Sequence, residues 1–386
     1  MRILHTADWH VGKRLGRIDR MSEYAQAIDE VVEVARDRRV DLAVVAGDLL
    51  DRAMPPLDCI QLVVDGLLRL ADAAGQVVAI PGNHDSAALF SLLAPLLAPR
   101  GVLLAPHIRR PGEGGVLTVP SRDGSEAASV AVFPFLHEAQ VVDFMQDDAE
   151  WYKGYADRIR GICGRLCAGF DPAGVGILVG HWFVEGAELG GGERTIHVGE
   201  HYAATVQAIP PGAHYVALGH VHRPQEIPGA AVPARYAGSL LQLDFSERTH
   251  RKEVVVVEAL PGRRAKVASI QLRSGRQLVR VEDSLEALKA GVGTFGDAYL
   301  DVRVQTAGPV FGLSETVRAF LPNAVFVQAV YERADVEAER AARAERSLTD
   351  AYAEYHASPG GHGVEAPEVL LGTLRAIEEE VLRETP

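Results

Sequence analysis

Three short apolar, β-branched runs, at residues 2–8, 41–48 and 76–83, each end on a polar cluster. Between the first two lies 22–38, where Ala25, Ile28, Val32 and Ala35 recur at helical spacing. Between the second and third lies 57–74, with Ile60, Val63, Val64, Leu67 and Leu68 on a broad apolar face. This β-α-β-α-β order predicts a sheet covered by helices, with reactive residues at the carboxyl ends of its strands. Further strands are expected at 129–135, 175–181, 215–220, 235–239 and 253–259. The strand-rich second half predicts a second sheet facing the first.

After about residue 270 the pattern changes. Segments 280–290, 298–304, 314–320 and 325–330 read as a small α+β unit without chemical motifs. Residues 336–355 are charged and helix-forming, with Glu339 and Arg343 spaced for an i,i+4 pair. A breaker at 358–363 separates them from a last helix, 367–383, where Leu370, Leu374, Ile377 and Val381 make one apolar stripe. The reading is three parts: 1–270 as the main domain, 271–335 as a small capping domain, and 336–386 as a helical hairpin suited to docking a partner.

Composition narrows the class. The chain has 386 residues, 47% of them apolar, enough for a large core. No apolar run reaches the roughly 20 residues that a membrane span needs. The opening residues pass straight into a strand pattern without a signal-peptide layout. Cys59, Cys163 and Cys167 give no disulfide framework and fit a reducing compartment, so a cytoplasmic protein is expected. The net charge of -13 argues against a chain that grips DNA unaided, because such affinity comes from neutralised phosphates. A local basic patch, a partner or bound cations would remove that objection.

The candidate chemistry sits where the strands end. Five motifs follow in order: Asp8-Trp9-His10, Gly47-Asp48-Leu49-Leu50-Asp51, Gly82-Asn83-His84-Asp85, Gly180-His181 and Gly219-His220-Val221-His222. They supply Asp, Asn and His ligands with no thiolate, a set that suits paired divalent cations such as manganese, iron or zinc. Two such ions about 4 Å apart can clamp a phosphate and activate the water that attacks it.

That order of motifs resembles the calcineurin-like metallophosphoesterase family. Longer segments are similar to those of a subgroup of that family made up of nuclease subunits: His5-Thr6-Ala7-Asp8-Trp9-His10-Val11-Gly12-Lys13, Gly186-Ala187-Glu188, and the run from Tyr236 to Phe245. The resemblance covers about residues 1–260. It implies a four-layer αββα sandwich, here followed by the small α+β cap and the C-terminal hairpin. By motif it assigns Asp8, His10, Asp48 and His222 to one ion. Asp48, Asn83, His181 and His220 go to the other, with Asp48 bridging. His84 would stand over the scissile phosphate, with Asp51 orienting its ring. The implied activity is a manganese-dependent DNA exo- and endonuclease, partnered by a coiled-coil ATPase that binds the C-terminal helices.

Other features bear on substrate and assembly. Lys13, Arg14, Arg17 and Arg20 follow the first motif and are candidate contacts to DNA phosphates. Trp9 is expected to pack behind the ligands, and His197 and His201 are left outside the site. The apolar helices 57–70 and 89–97 are candidate surfaces for a homodimer. A phosphomonoesterase or nucleotidase on the same fold is the alternative, since it would share every metal ligand.

Overall fold

The computed structural model describes residues 1–136, 155–193, 203–331, 347–357 and 364–384. The chain divides into two compact units, Met1–Arg280 with Asp297–Asp301, and Val281–Gly296 with Val302–Pro386. The expected boundary at 335/336, the Glu339–Arg343 pair, the breaker at 358–363 and both His197 and His201 lie outside the described residues.

In chain order, the first unit begins β1 (Arg2–Thr6), α1 (Met21–Asp37), β2 (Leu42–Ala46), α2 (Leu57–Ala74), β3 (Gln76–Ile80), α3 (Ala87–Leu97) and β4 (Val102–Leu104). It continues with β5 (Val116–Pro120), β6 (Ala127–Phe133), α4 (Tyr155–Cys167), β7 (Val175–His181), β8 (Phe183–Val184) and β9 (Ala203–Ala204). Then come β10 (Tyr215–Gly219), β11 (Gln225–Glu226), β12 (Ala234–Tyr236), β13 (Glu253–Glu258) and β14 (Lys266–Gln271).

Two six-stranded sheets result, ordered β14-β13-β1-β2-β3-β4 and β11-β12-β10-β7-β6-β5. Each has four parallel strands, β1 to β4 in one and β12-β10-β7-β6 in the other; antiparallel β13 and β14 extend the first at one side, and antiparallel β11 and β5 flank the second at both. Strand alternation sorts the side chains into layers. Ile3, Leu42, Val44, Val78 and Ile80 share a buried cluster with Val130, Val132, Ile177, Val179 and Ala217, the layer between the sheets. Leu4, Ala43, Val45, Val77 and Ala79 pack instead with α1 and α2 through Ile28, Val31, Val63 and Leu67. Phe133, Leu178, Val216 and Leu218 pack with α4 through Ile159, Ile162 and Leu166. The architecture is therefore the expected αββα sandwich.

Both expected helices form, at nearly the expected bounds. The strands β1, β2 and β3 are shorter than the apolar runs that announce them, for β1 and β2 because of a backbone turn described with the metal centre below. The edge strands β4, β5 and β14 were not anticipated. In β14 the burial pattern is mostly exposed, so it carries none of the continuous apolar signal that marks a central strand.

From residue 278 onward come β15 (Leu278–Ser284), α5 (Leu285–Ala290), β16 (Tyr299–Gln305), α6 (Leu313–Phe320) and β17 (Ala324–Val330). The three strands form a sheet in the order β15-β16-β17. Two helices follow, α7 (Leu348–Ala357) and α8 (Glu368–Glu384). They are pinned together by Glu378, which accepts from the Thr349 hydroxyl at 2.7 Å.

Candidate metal centre

The loops after β1 and β2 are stitched to each other by main-chain bonds. The amide of Asp8 donates to the Gly47 carbonyl (3.0 Å), that of His10 to Asp48 (2.9 Å), and that of Val11 to Leu49 (3.0 Å). Asp8, His10, Asp48 and His220 all have positive φ, between 48° and 98°, which side-chain-bearing residues rarely adopt. A strand cannot continue through such a residue, so β1 and β2 stop two positions before Asp8 and Asp48. The strain turns the ligands inward, and the surrounding hydrogen bonds hold it.

The glycine before a ligand permits close approach of the loops. A Cβ on Gly82 would sit 2.2 Å from Asp48 Oδ1, and one on Gly219 would sit 2.0 Å from the Ala46 carbonyl oxygen. Asp85 closes the third loop onto the second, accepting from the amides of Gly82, Leu49 and Leu50 at 2.9–3.1 Å. Asp48 Oδ1 in turn accepts from the His84 amide at 2.8 Å.

The ligand candidates converge in two overlapping groups. Donor atoms of Asp8, His10 and His222 lie within 4.8 Å of one another, as do those of Asp8, Asp48 and His181. Asn83 Oδ1 is 3.0 Å from His181 Nε2 and 2.9 Å from His220 Nδ1. Asp48 Oδ2 stands 3.5 Å from His10 Nε2 and 3.5 Å from His181 Nε2. Donors of His10, Asp48 and His84 form a third such group, so distance alone does not separate His84 from the ligands.

The tautomers suit a cation. His181 Nδ1 donates to the Ala46 carbonyl at 2.7 Å, which leaves Nε2 to face Asn83 and Asp48. His222 Nδ1 is engaged by Glu247 at 3.0 Å, which frees its Nε2. His10 is fully buried, and neither ring nitrogen has a hydrogen-bond partner among the described residues. Buried polar atoms are seldom left so, and a metal ion would satisfy them.

The electrostatics point the same way. Burial opposes charge on Asp48, but His181 outweighs it and holds the carboxyl well below the usual range. Burial also opposes charge on His181, yet the Asp48 carboxylate carries it up to about 9. Burial raises Asp8 to about 6 and lowers His10 to about 3. Carboxylates and imidazoles crowded into one buried pocket are stabilised when a divalent cation joins them.

A family model described as calcineurin-like phosphoesterase matches residues 1–224. The chain belongs to the calcineurin-like phosphoesterase family. As a member it is a metal-dependent phosphoesterase, and its clustered donors are the residues that can hold divalent ions. Within the family it is similar to proteins named as the SbcD subunit of nuclease SbcCD. It is 32% identical to that of Bacillus subtilis (strain 168), over 98% of this chain and 99% of that protein. It is 27% identical to that of Escherichia coli (strain K12), over 83% of this chain and 82% of that protein. It is 32% identical to that of Rhodobacter capsulatus, over 68% of this chain and 67% of that protein.

In this phosphoesterase, His84 gives Nδ1 to the main-chain carbonyl of Asp51 at 2.7 Å. The Asp51 carboxylate lies 3.7 Å from His10 Nδ1, so the expected Asp51–His84 link runs through backbone. Trp9 is fully buried behind the ligands, with Nε1 donating to Thr6 at 3.0 Å.

Among the expected DNA contacts, Arg14 and Arg17 are exposed and Lys13 is half-buried. Arg20 is a correction. It is 2% exposed, pairs with Glu23 at 2.9 Å, donates to the Gln242 carbonyl and lies over the Tyr299 ring. Its guanidinium is committed to the core and cannot meet a phosphate.

Supporting residues were missed from sequence. Glu247 bonds His222, and Lys252 Nζ bridges Glu247 Oε2 (2.7 Å), the Ser239 hydroxyl (2.7 Å) and the His222 carbonyl (3.0 Å). Glu193 accepts from the His222 amide at 2.9 Å. The only hint was the position of Glu247 two residues past the run from Tyr236 to Phe245.

Proposed function

We propose that the chain is a manganese-dependent DNA exo- and endonuclease subunit that hydrolyses phosphodiesters at a pair of divalent ions. The observation that carries this is the place of Asp48 Oδ2, equally far from His10 and from His181, which lets one carboxylate serve two ions. Asp8, His10, Asp48 and His222 hold the first ion. Asp48, Asn83, His181 and His220 hold the second.

When bound, the ions supply positive charge for the phosphate and acidify water. The protein supplies the rest. Asp8 and Asp48 are fixed by the amides of His220 and His84, so the ligand shell is organised before substrate arrives. His84, anchored through Nδ1, reaches the scissile phosphate through Nε2. There it stabilises developing charge or protonates the leaving sugar oxygen.

Arg14, Arg17 and Lys13 approach the DNA backbone beside this centre. The relatives are named as subunits of a two-part nuclease, and the reading extends to an SbcC-like coiled-coil ATPase and to DNA end processing, hairpin cleavage and recombination or repair. Residues 336–386 dock that ATPase. Val369, Leu370 and Ile377 on α8 are 80%, 44% and 48% exposed, an apolar stripe that supports a helical partner. Leu92 and Leu96 on α3, each about two-thirds exposed, with Leu57 on α2, support a homodimer. No described helix is long and apolar enough to cross a membrane, and the proposed setting is the cytoplasm.

The test is the purified chain in manganese beside an Asp48→Asn control, offered duplex DNA, single-stranded DNA and a small phosphomonoester. DNA cleavage that disappears in the control, with the monoester untouched, supports the nuclease. Monoester turnover with DNA intact would replace it by the phosphomonoesterase reading.

A further inference from the structure

Behind the centre lies a cavity of about 220 Å³ whose wall carries Arg248, His250, Arg251, Lys252 and Arg276, with Gln242 beside them. None of its lining residues is acidic. This is unusual in a chain of net charge -13. Lys252 is compensated by Glu247, but the three arginines share one concavity, and such a cluster is stable when an anion enters it.

The carboxylates adjoining it are already engaged. Glu247 is held by Lys252 at 2.7 Å, and Glu23 by Arg20 at 2.9 Å. The Arg251 side chain is exposed and makes no ion pair among the described residues. Arg248 donates to the Phe245 carbonyl and meets no carboxylate among the described residues, while Arg276 has only Asp297 at 3.9 Å. His250 Nδ1 is buried in this wall without a hydrogen-bond partner among the described residues.

Lys252 joins the cavity to the metal centre, since its ammonium donates to the His222 carbonyl at 3.0 Å. We infer that this cavity is a phosphate seat for the substrate strand, taking a backbone phosphate away from the scissile one. The inference rests on the nuclease reading. Phosphates repeat along a strand, so a second seat fixes which one reaches the ions, and such contacts set register rather than sequence. Arginine suits the role because its planar fork pairs with two phosphate oxygens.

The test is fluorescence anisotropy of labelled duplex DNA on the full chain without divalent metal, at rising salt. The variants are Arg251→Ala, Arg248→Ala/Arg251→Ala and Arg251→Lys. The expected result is a several-fold loss of affinity in the double variant and a salt slope lowered by about one per lost contact. Arg251→Lys should keep most of the binding. With metal restored, KM for DNA rises in the double variant, while turnover of bis(p-nitrophenyl) phosphate stays at the wild-type level.

An unchanged affinity and salt slope would overturn the inference. So would a wild-type chain that binds no DNA at low salt. Tight binding of free AMP or inorganic phosphate, abolished by the double variant while DNA binding persists, would replace it with a small-anion site. A wild-type chain that binds DNA through these arginines but does not cleave it would sink the nuclease reading alone.

Discussion

Glu247 Oε1 lies 3.0 Å from His222 Nδ1, and both side chains are buried. Burial opposes the charge of Glu247, but Lys252 and His222 overcome it and hold the carboxyl far below the ordinary range. An ionised Glu247 fixes the His222 tautomer that presents Nε2 to a cation. Glu247→Gln should therefore lower metal affinity by about 10- to 100-fold, as loss of a partner behind a metal-ligating histidine does. Metal titration followed by calorimetry reads this directly. Wild-type affinity in the variant would mean that His222 is positioned by its backbone alone.

His84→Gln should separate chemistry from metal uptake. Loss of a positioned proton donor costs about 10²- to 10⁴-fold in rate. Metal stoichiometry should hold at the wild-type level, because the variant keeps all seven assigned ligands: Asp8, His10, Asp48, Asn83, His181, His220 and His222. A variant that loses its metal would reassign His84 as a ligand, which its group with His10 and Asp48 allows.

Gly82→Ala places a methyl 2.2 Å from Asp48 Oδ1 and 2.6 Å from His181 Cε1. Two donors must move together, so hydrolysis should fall sharply with about 1–3 kcal/mol lost from stability. Circular dichroism should still report the folded chain. Gly212→Ala, where a new Cβ meets nothing within 4 Å, is the control and should match wild type.

Arg20 and Glu23 form a buried pair that also takes the Tyr299 hydroxyl at 2.7 Å. Burial works against the Glu23 charge, but Arg20 outweighs it and lowers the carboxyl below its ordinary 4.5. The unfolded chain therefore takes up this proton first as pH falls. The pair's contribution is full above about 4.5 and is lost as pH drops through the lower folded value. Glu23→Gln should cost about 3 kcal/mol at neutral pH, because it leaves a buried guanidinium uncompensated. Denaturant unfolding from about pH 7 down to about pH 3 should show the gap to wild type closing. A gap constant across that range would remove the pair from the stability account.

Much of this protein was legible in its sequence because the signals are local. Helical periodicity marked α1 and α2 almost to the residue, since a helix needs only an apolar face every three to four positions. The candidate metal ligands stood out because few side chains can serve a hard or borderline cation, and four of them, Asp48, Asn83, His181 and His220, directly follow a glycine. The ends of β1 and β2 were not, since a positive φ leaves no trace in hydropathy.

Arg20 shows the limit most clearly. Along the chain it is one more cation beside Lys13, Arg14 and Arg17, and only the carbonyl of Gln242, 222 residues away, makes it a core residue. Glu247, Lys252 and the cationic cavity were hidden for the same reason. Sequence alone determined which side chains offer metal-binding atoms and where the central strands and the helices α1 and α2 form. Tertiary structure decided which charges are buried, which imidazole nitrogen faces a cation and which arginines stay unpaired, because burial and pairing depend on neighbours that the chain's order does not place side by side.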